Sequence, residues 1–93
     1  MKIYASVGDF AGDKDAAAHI RETYLRRSVE RHEPAVLDFV GVDLATQSFV
    51  HALVASIIRE DSANLDLIEF KNCNPEIRTI IQIVVEYSQE EFD

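Results

Sequence analysis

Ile3, Ala5 and Val7 alternate with Lys2, Tyr4 and Ser6 at the start of the chain. A period of two puts successive side chains on opposite faces, so this stretch predicts a half-buried strand. Residues 8–13 set two glycines and two aspartates around Phe10, which predicts a loop. Ala16, Ala17, Ile20, Tyr24 and Ser28 then recur at helical spacing, with Leu25 and Val29 widening the stripe. Asp13 or Asp15 can cap that helix. The stripe fades at Arg31 and His32, and Pro34 favours extended geometry at Glu33.

Ala35-Val36-Leu37-Asp38-Phe39-Val40 is a short apolar run between a proline and a glycine, the pattern of a buried central strand. Gly41 stops it, residues 43–46 read as a turn, and Thr46 is placed to cap a second helix. Phe49, Leu53, Ser56 and Ile57 mark that helix's inner face, with Ala52 and Val54 beside it, and Arg59-Glu60-Asp61 ends it. A polar connection at 61–64 leads to Leu65-Asp66-Leu67-Ile68-Glu69-Phe70, a third strand less buried than the second. Asn74-Pro75-Glu76 is the sharpest local signal. Asparagine caps a helix, proline fits its first position, and glutamate suits the positive end of the dipole. Ile77, Ile80, Ile81, Val84 and Val85 carry the helix to about Ser88.

The resulting order is β-α-β-α-β-α. Such alternation implies an α/β domain with a mainly parallel sheet and right-handed crossovers. Three helices cannot cover both faces of a sheet well, so one face is expected to stay open or to be used for association. The chain of 93 residues fits a single domain, 1–93. Isoleucine and valine occupy more than one face of the last helix, at Ile77, Ile80, Ile81, Ile83, Val84 and Val85. A helix apolar around much of its circumference is buried on two sides, and the second side is a candidate homodimer contact.

Composition narrows the function. The net charge of −8 opposes binding to a phosphate backbone. Arg21, Arg26, Arg27 and Arg31 form the best basic patch, but Glu22 and Glu30 interrupt it, as on a solvated mixed-charge face. Cys73 is the only cysteine, so no internal disulfide forms, and a reducing, cytoplasmic setting is expected. Neither a secretory leader nor a membrane span is expected. His19, His32 and His51 lack metal-ligand spacing, and no cofactor is expected. Gly8-Asp9-Phe10-Ala11-Gly12-Asp13-Lys14 lacks the Gly-Lys-Ser/Thr ending of a phosphate-binding loop. Asp38 sits in an apolar strand, where burial could make it a base or a backbone N–H could hold it. Cys73, just before a helix start, reads either as a reactive thiol or as a small buried apolar residue. No nucleophile–base pair can be named, so no enzyme is expected.

Val36-Leu37-Asp38-Phe39-Val40-Gly41-Val42-Asp43-Leu44, followed by Thr46-Gln47-Ser48-Phe49, resembles the central segment of STAS domains, found in sulfate transporters and anti-sigma-factor antagonists. Ile68-Glu69-Phe70-Lys71-Asn72-Cys73-Asn74-Pro75-Glu76-Ile77 resembles their third strand and last helix. The likeness runs from about Val7 to Val85 and is strongest to the short, standalone bacterial STAS-like proteins. In the antagonists, a serine opening the helix after this strand is phosphorylated by a partner kinase. The resemblance puts that position on Ser48, with Asp43, Thr46, Gln47 and Phe49 as candidate partner contacts. Thr46 and Gln47 stand where antagonists have an acidic residue and a second serine, Phe49 replaces a glycine, and Lys14 stands where relatives carry an arginine. The resemblance implies a non-enzymatic regulatory protein–protein interaction module. Its partner would be a histidine-kinase-type ATPase or an anti-sigma-like protein. The alternative is a small-molecule or nucleotide-binding domain using Lys14, Asp38 and the loop at 8–12.

Overall fold

The computed structural model describes residues 1–90 and is an α/β domain of short parallel strands packed by helices. The chain starts extended beside the central strand, then makes one helical turn, α1 (Tyr4–Val7), and a two-residue strand, β1 (Phe10–Ala11). Helix α2 spans 14–30, with a π-helical turn at Arg21–Leu25. Strands β2 (Ala35–Asp38) and β3 (Leu44–Ala45) follow. Helix α3 spans 47–60, with a π-helical turn at His51–Ala55. A 3-10 segment (Ser62–Leu67) leads into β4 (Ile68–Lys71) and α4 (Pro75–Glu90).

All strand pairing is parallel among the described residues, as the alternating pattern requires. β2 pairs with β4, placing Ala35 opposite Ile68 and Leu37 opposite Phe70. On the other edge of β2, the Met1 amino group donates to the Val36 carbonyl. Asp38 N–H bonds the Met1 carbonyl, and Ile3 N–H bonds the Asp38 carbonyl, each at 2.9 Å. β1 pairs with β3 as a separate two-stranded patch, Phe10 opposite Leu44.

The expected first strand at 3–7 is therefore displaced. Only residues 1–3 lie beside β2, and the chain then coils because β2 ends at Asp38 and offers no further partner. Ile3 is fully buried, but Ala5 is exposed, so the apparent alternation does not match the burial. The loop at 8–13 and the turn at 43–46 contain β1 and β3. β2 stops at Asp38 rather than at Val40. The third strand starts at Ile68, because Leu65 and Leu67 pack from a 3-10 turn that Asp61 caps through Ala63 N–H.

The core lies largely on the predicted faces, with Val50 and Ile58 buried beside them. Ile20, Leu25, Leu37, Phe39, Phe49, Leu53, Ile57, Ile77 and Val84 are buried from different elements. Asp13 caps α2 by accepting from Asp15 and Ala16 N–H, and Thr46 caps α3 by accepting from Phe49 N–H. One face of the β2–β4 pair carries Ala35, Leu37, Ile68 and Phe70. The other carries Val36 and Asp38, half-buried, and Glu69 and Lys71, exposed, so it stays largely open. Arg21 donates to the Ala52 carbonyl at 2.7 Å, and Arg26 makes a two-pronged contact to Glu60 at 2.9 and 3.0 Å, tying α2 to α3. Both arginines also contact Glu22, as a mixed-charge face predicts. Arg27 and Arg31 line a small cleft of about 220 Å³ with Glu33.

Candidate interaction surface

The turn between β2 and α3 is braced from two sides. Asp43 and Leu44 N–H groups both reach the Asp9 carbonyl, at 2.8 and 3.3 Å, and Thr46 N–H reaches the Ala11 carbonyl at 2.9 Å. From the opposite side, the Asn74 side chain donates to the Asp43 carbonyl at 2.7 Å. Gly41 turns the chain with φ +85°, a conformation that favours glycine, and a Cβ there would crowd the Tyr4 ring at 3.0 Å.

Capping then sorts the helix-start residues. Thr46 Oγ1 accepts from Phe49 N–H at 3.1 Å and lies 3.3 Å from Ser48 Oγ. Thr46 is thus the cap, Phe49 is fully buried, and Gln47 and Ser48 face solvent. Phe49 is an anchor of the core rather than an exposed contact.

Lys14, Gln47, Ser48, His51, Ala52 and Tyr87 line one open groove of about 450 Å³. The structure therefore brings Lys14 to Ser48, from helices far apart in sequence. The Tyr87 hydroxyl hydrogen-bonds His51 Nδ1, and the two rings stack with centroids 5.6 Å apart. The Arg59 guanidinium lies 6.0 Å from the Tyr87 ring centroid. In the sequence, His51 is only a histidine without metal-ligand spacing, and Tyr87 carries no signal. The pair joins α3 to α4, and no local spacing announces it.

Asp38 has other neighbours. Its carboxylate accepts from Asn72 Nδ2 at 2.9 Å and from Val40 N–H at 3.0 Å. The Asn72 hydrogen bond, then that of Val40, and finally the charges of Lys2 and Lys71 hold the carboxyl below its ordinary range. A carboxylate so held is a poor base at neutral pH. It is not among the residues lining the groove of Lys14. Cys73 is half-buried, and burial pushes its thiol up, away from the reactive range. Among the described residues, no group of three or more His, Cys, Asp and Glu could hold a metal ion. No described helix is long and apolar enough to cross a membrane.

Exposed apolar side chains supply what the periodic patterns did not reveal. Tyr4, Phe10, Val40 and Leu44 are each about half exposed, at 51%, 53%, 47% and 50%. Phe10 and Leu44 are register partners, and the Tyr4 ring lies against Gly41, next to Val40. All four therefore sit on two adjoining segments beside the turn that presents Gln47 and Ser48. Leu44 also lines a groove of about 330 Å³ with Ile80 of α4. Ile83, the other large exposed apolar residue, follows Ile80 at i+3 on the same side of that helix.

The fold is an α/β domain of short parallel strands packed by helices. A family model described as a STAS-like domain of unknown function (DUF4325) matches residues 16–78, and the chain belongs to that family. The matched span contains the turn, Ser48 and the Asn74-Pro75-Glu76 helix start. No curated protein and no solved structure matches the chain.

Proposed function

We propose that this chain is a non-enzymatic, cytoplasmic regulatory module that binds another protein through the surface around residues 43–48. The observation that carries this reading is the exposure of Tyr4, Phe10, Val40 and Leu44 on the two stretches of chain that pair just before the exposed Gln47 and Ser48. Contiguous exposed apolar groups rimmed by polar ones are the usual mark of a protein contact. By family resemblance, the partner is a histidine-kinase-type ATPase or an anti-sigma-like protein. Capture experiments in the native host with wild type and with Leu44→Asp test this. The reading requires an ATPase or anti-sigma-like protein that wild type retains and Leu44→Asp loses. Retention of the same protein by both baits counts against it.

A second reading rests on the groove of Lys14, Ser48, His51 and Tyr87, where the lysine ammonium offers a contact to a small anionic ligand. Thermal-shift measurements with nucleotides separate the two. A rise in melting temperature that Lys14→Ala abolishes favours the ligand, and no shift favours the protein partner.

A further inference from the structure

We infer that two copies of this chain pair along the free edge of β4, antiparallel, about a two-fold axis at Phe70. β4 is hydrogen-bonded to β2 on one side, and among the described residues no strand lies on the other. The Lys71 carbonyl accepts from Phe39 N–H at 2.9 Å, so the peptide groups of Lys71 face β2. Strand backbones alternate, so Glu69 also faces β2, while the N–H and C=O of Phe70 point to the open edge. Two antiparallel strands centred on Phe70 exchange both of those hydrogen bonds.

Charge selects the same register. With Phe70 opposite the partner's Phe70, Glu69 stands opposite the partner's Lys71, and Lys71 opposite the partner's Glu69. Both side chains are exposed on the open face of the sheet, Lys71 next to Asp38. Centring on Glu69 would set carboxylate against carboxylate, and centring on Lys71 would set ammonium against ammonium. Opposite charges directly across an antiparallel pair stabilise it, and like charges oppose it. The charges thus make the strand complementary to itself in the register centred on Phe70.

Apolar surface continues the contact on the other face. Phe70 is half-buried at a groove of about 410 Å³ along this edge, with Leu65, Ile68, Ile81 and Val85 among its lining and Arg78 beside them. A second Phe70 across the axis falls on the same face and covers that groove. The arrangement closes on itself, since each β4 edge satisfies the other, and a closed two-fold contact gives a dimer rather than a fibre. The far edge of each sheet is already occupied by residues 1–3 and by the Tyr24 hydroxyl, which accepts from Val36 N–H at 2.9 Å. The surface around Ser48 and the Ile83 side of α4 remain outside the contact. The dimer therefore stands or falls independently of the proposed partner binding.

Sedimentation equilibrium on the full chain tests it, with circular dichroism as a check on folding. Wild type should dimerise. Glu69→Lys and Lys71→Glu should each weaken the dimer by roughly tenfold or more, since each exchanges two symmetric attractions for two repulsions. The double variant Glu69→Lys/Lys71→Glu should restore it, and Ile83→Glu should leave it intact. A wild-type monomer at high micromolar concentration overturns the inference. So do single charge variants that dimerise like wild type, a double variant that fails to recover, or dissociation by Ile83→Glu alone, which would move the contact to the far side of the last helix.

Discussion

Asn74 holds two parts of the molecule at once: its side-chain nitrogen donates to the Asp43 carbonyl at 2.7 Å, and its Oδ1 accepts from Ile77 N–H at 2.8 Å. One residue thereby caps α4 and fixes the turn that presents the candidate surface. Asn74→Ala should lower stability by about 0.5–2 kcal/mol, the usual loss for a cap. Asn74→Asp keeps the capping oxygen but loses the donor to Asp43. It should therefore hold near wild-type stability while amide exchange at 43–46 quickens. Unchanged exchange in both variants would separate the turn from the helix start.

Asp38 supplies a pH signature. Its folded-state pKa lies below the ordinary carboxylate value, chiefly through Asn72 and then Val40. The stabilisation is therefore complete above the unfolded-state pKa and is lost as pH falls through the folded-state value. Asp38→Asn should be less stable than wild type at neutral pH, and the gap should close in strong acid. Denaturant titrations across that range measure it. A gap that persists undiminished in acid would contradict the assigned hydrogen bonds.

Leu37→Asp should unfold the protein, and Arg27→Ala should not. Leu37 is fully buried on β2, and an unpaired charge there costs several kcal/mol, on the order of the whole stability of a small domain. Arg27 is exposed at the edge of a shallow cleft. Similar melting temperatures for the two variants would refute the central-strand assignment.

What could be read from the sequence was local. Asn74-Pro75-Glu76 encodes its helix start through side chains within one turn of each other, and the stripe of Ile20, Leu25 and Val29 encodes a buried helix face. Ala35 and Leu37 alternate with Val36 and Asp38 in burial as a strand should. What failed was set by distant partners. Residues 3–7 alternate well enough for a strand, but whether they pair is decided by the length of β2. Phe10–Ala11 is a strand only because Leu44–Ala45 lies beside it. The site followed the same rule. Thr46 was legible as a cap, so the start of the Ser48 helix was placed correctly. The joining of Lys14, Ser48, His51 and Tyr87 in one groove, and of Phe10 with Leu44, depends on packing between elements and carries no local signature.

Ser48 gives the sharpest functional test, because its exposure separates folding from binding. Its side chain faces solvent in the first turn of α3, where Thr46 already caps the helix. A carboxylate at that point meets the positive end of the helix dipole, so Ser48→Asp should leave the melting temperature unchanged or slightly raised. The same substitution puts a negative charge beside Gln47, at the end of the turn that begins with the exposed Leu44. A partner that buries this surface must then desolvate the charge, and truncating Ser48 imposes no such demand. Ser48→Asp should therefore weaken binding of the captured partner at least tenfold, by calorimetry, while Ser48→Ala binds within about twofold of wild type, as expected where an exposed hydroxyl is lost without leaving a buried group unpaired. Equal affinity for the two variants, both folded, would remove Ser48 from the interface and shift the contact toward Phe10 and Tyr4.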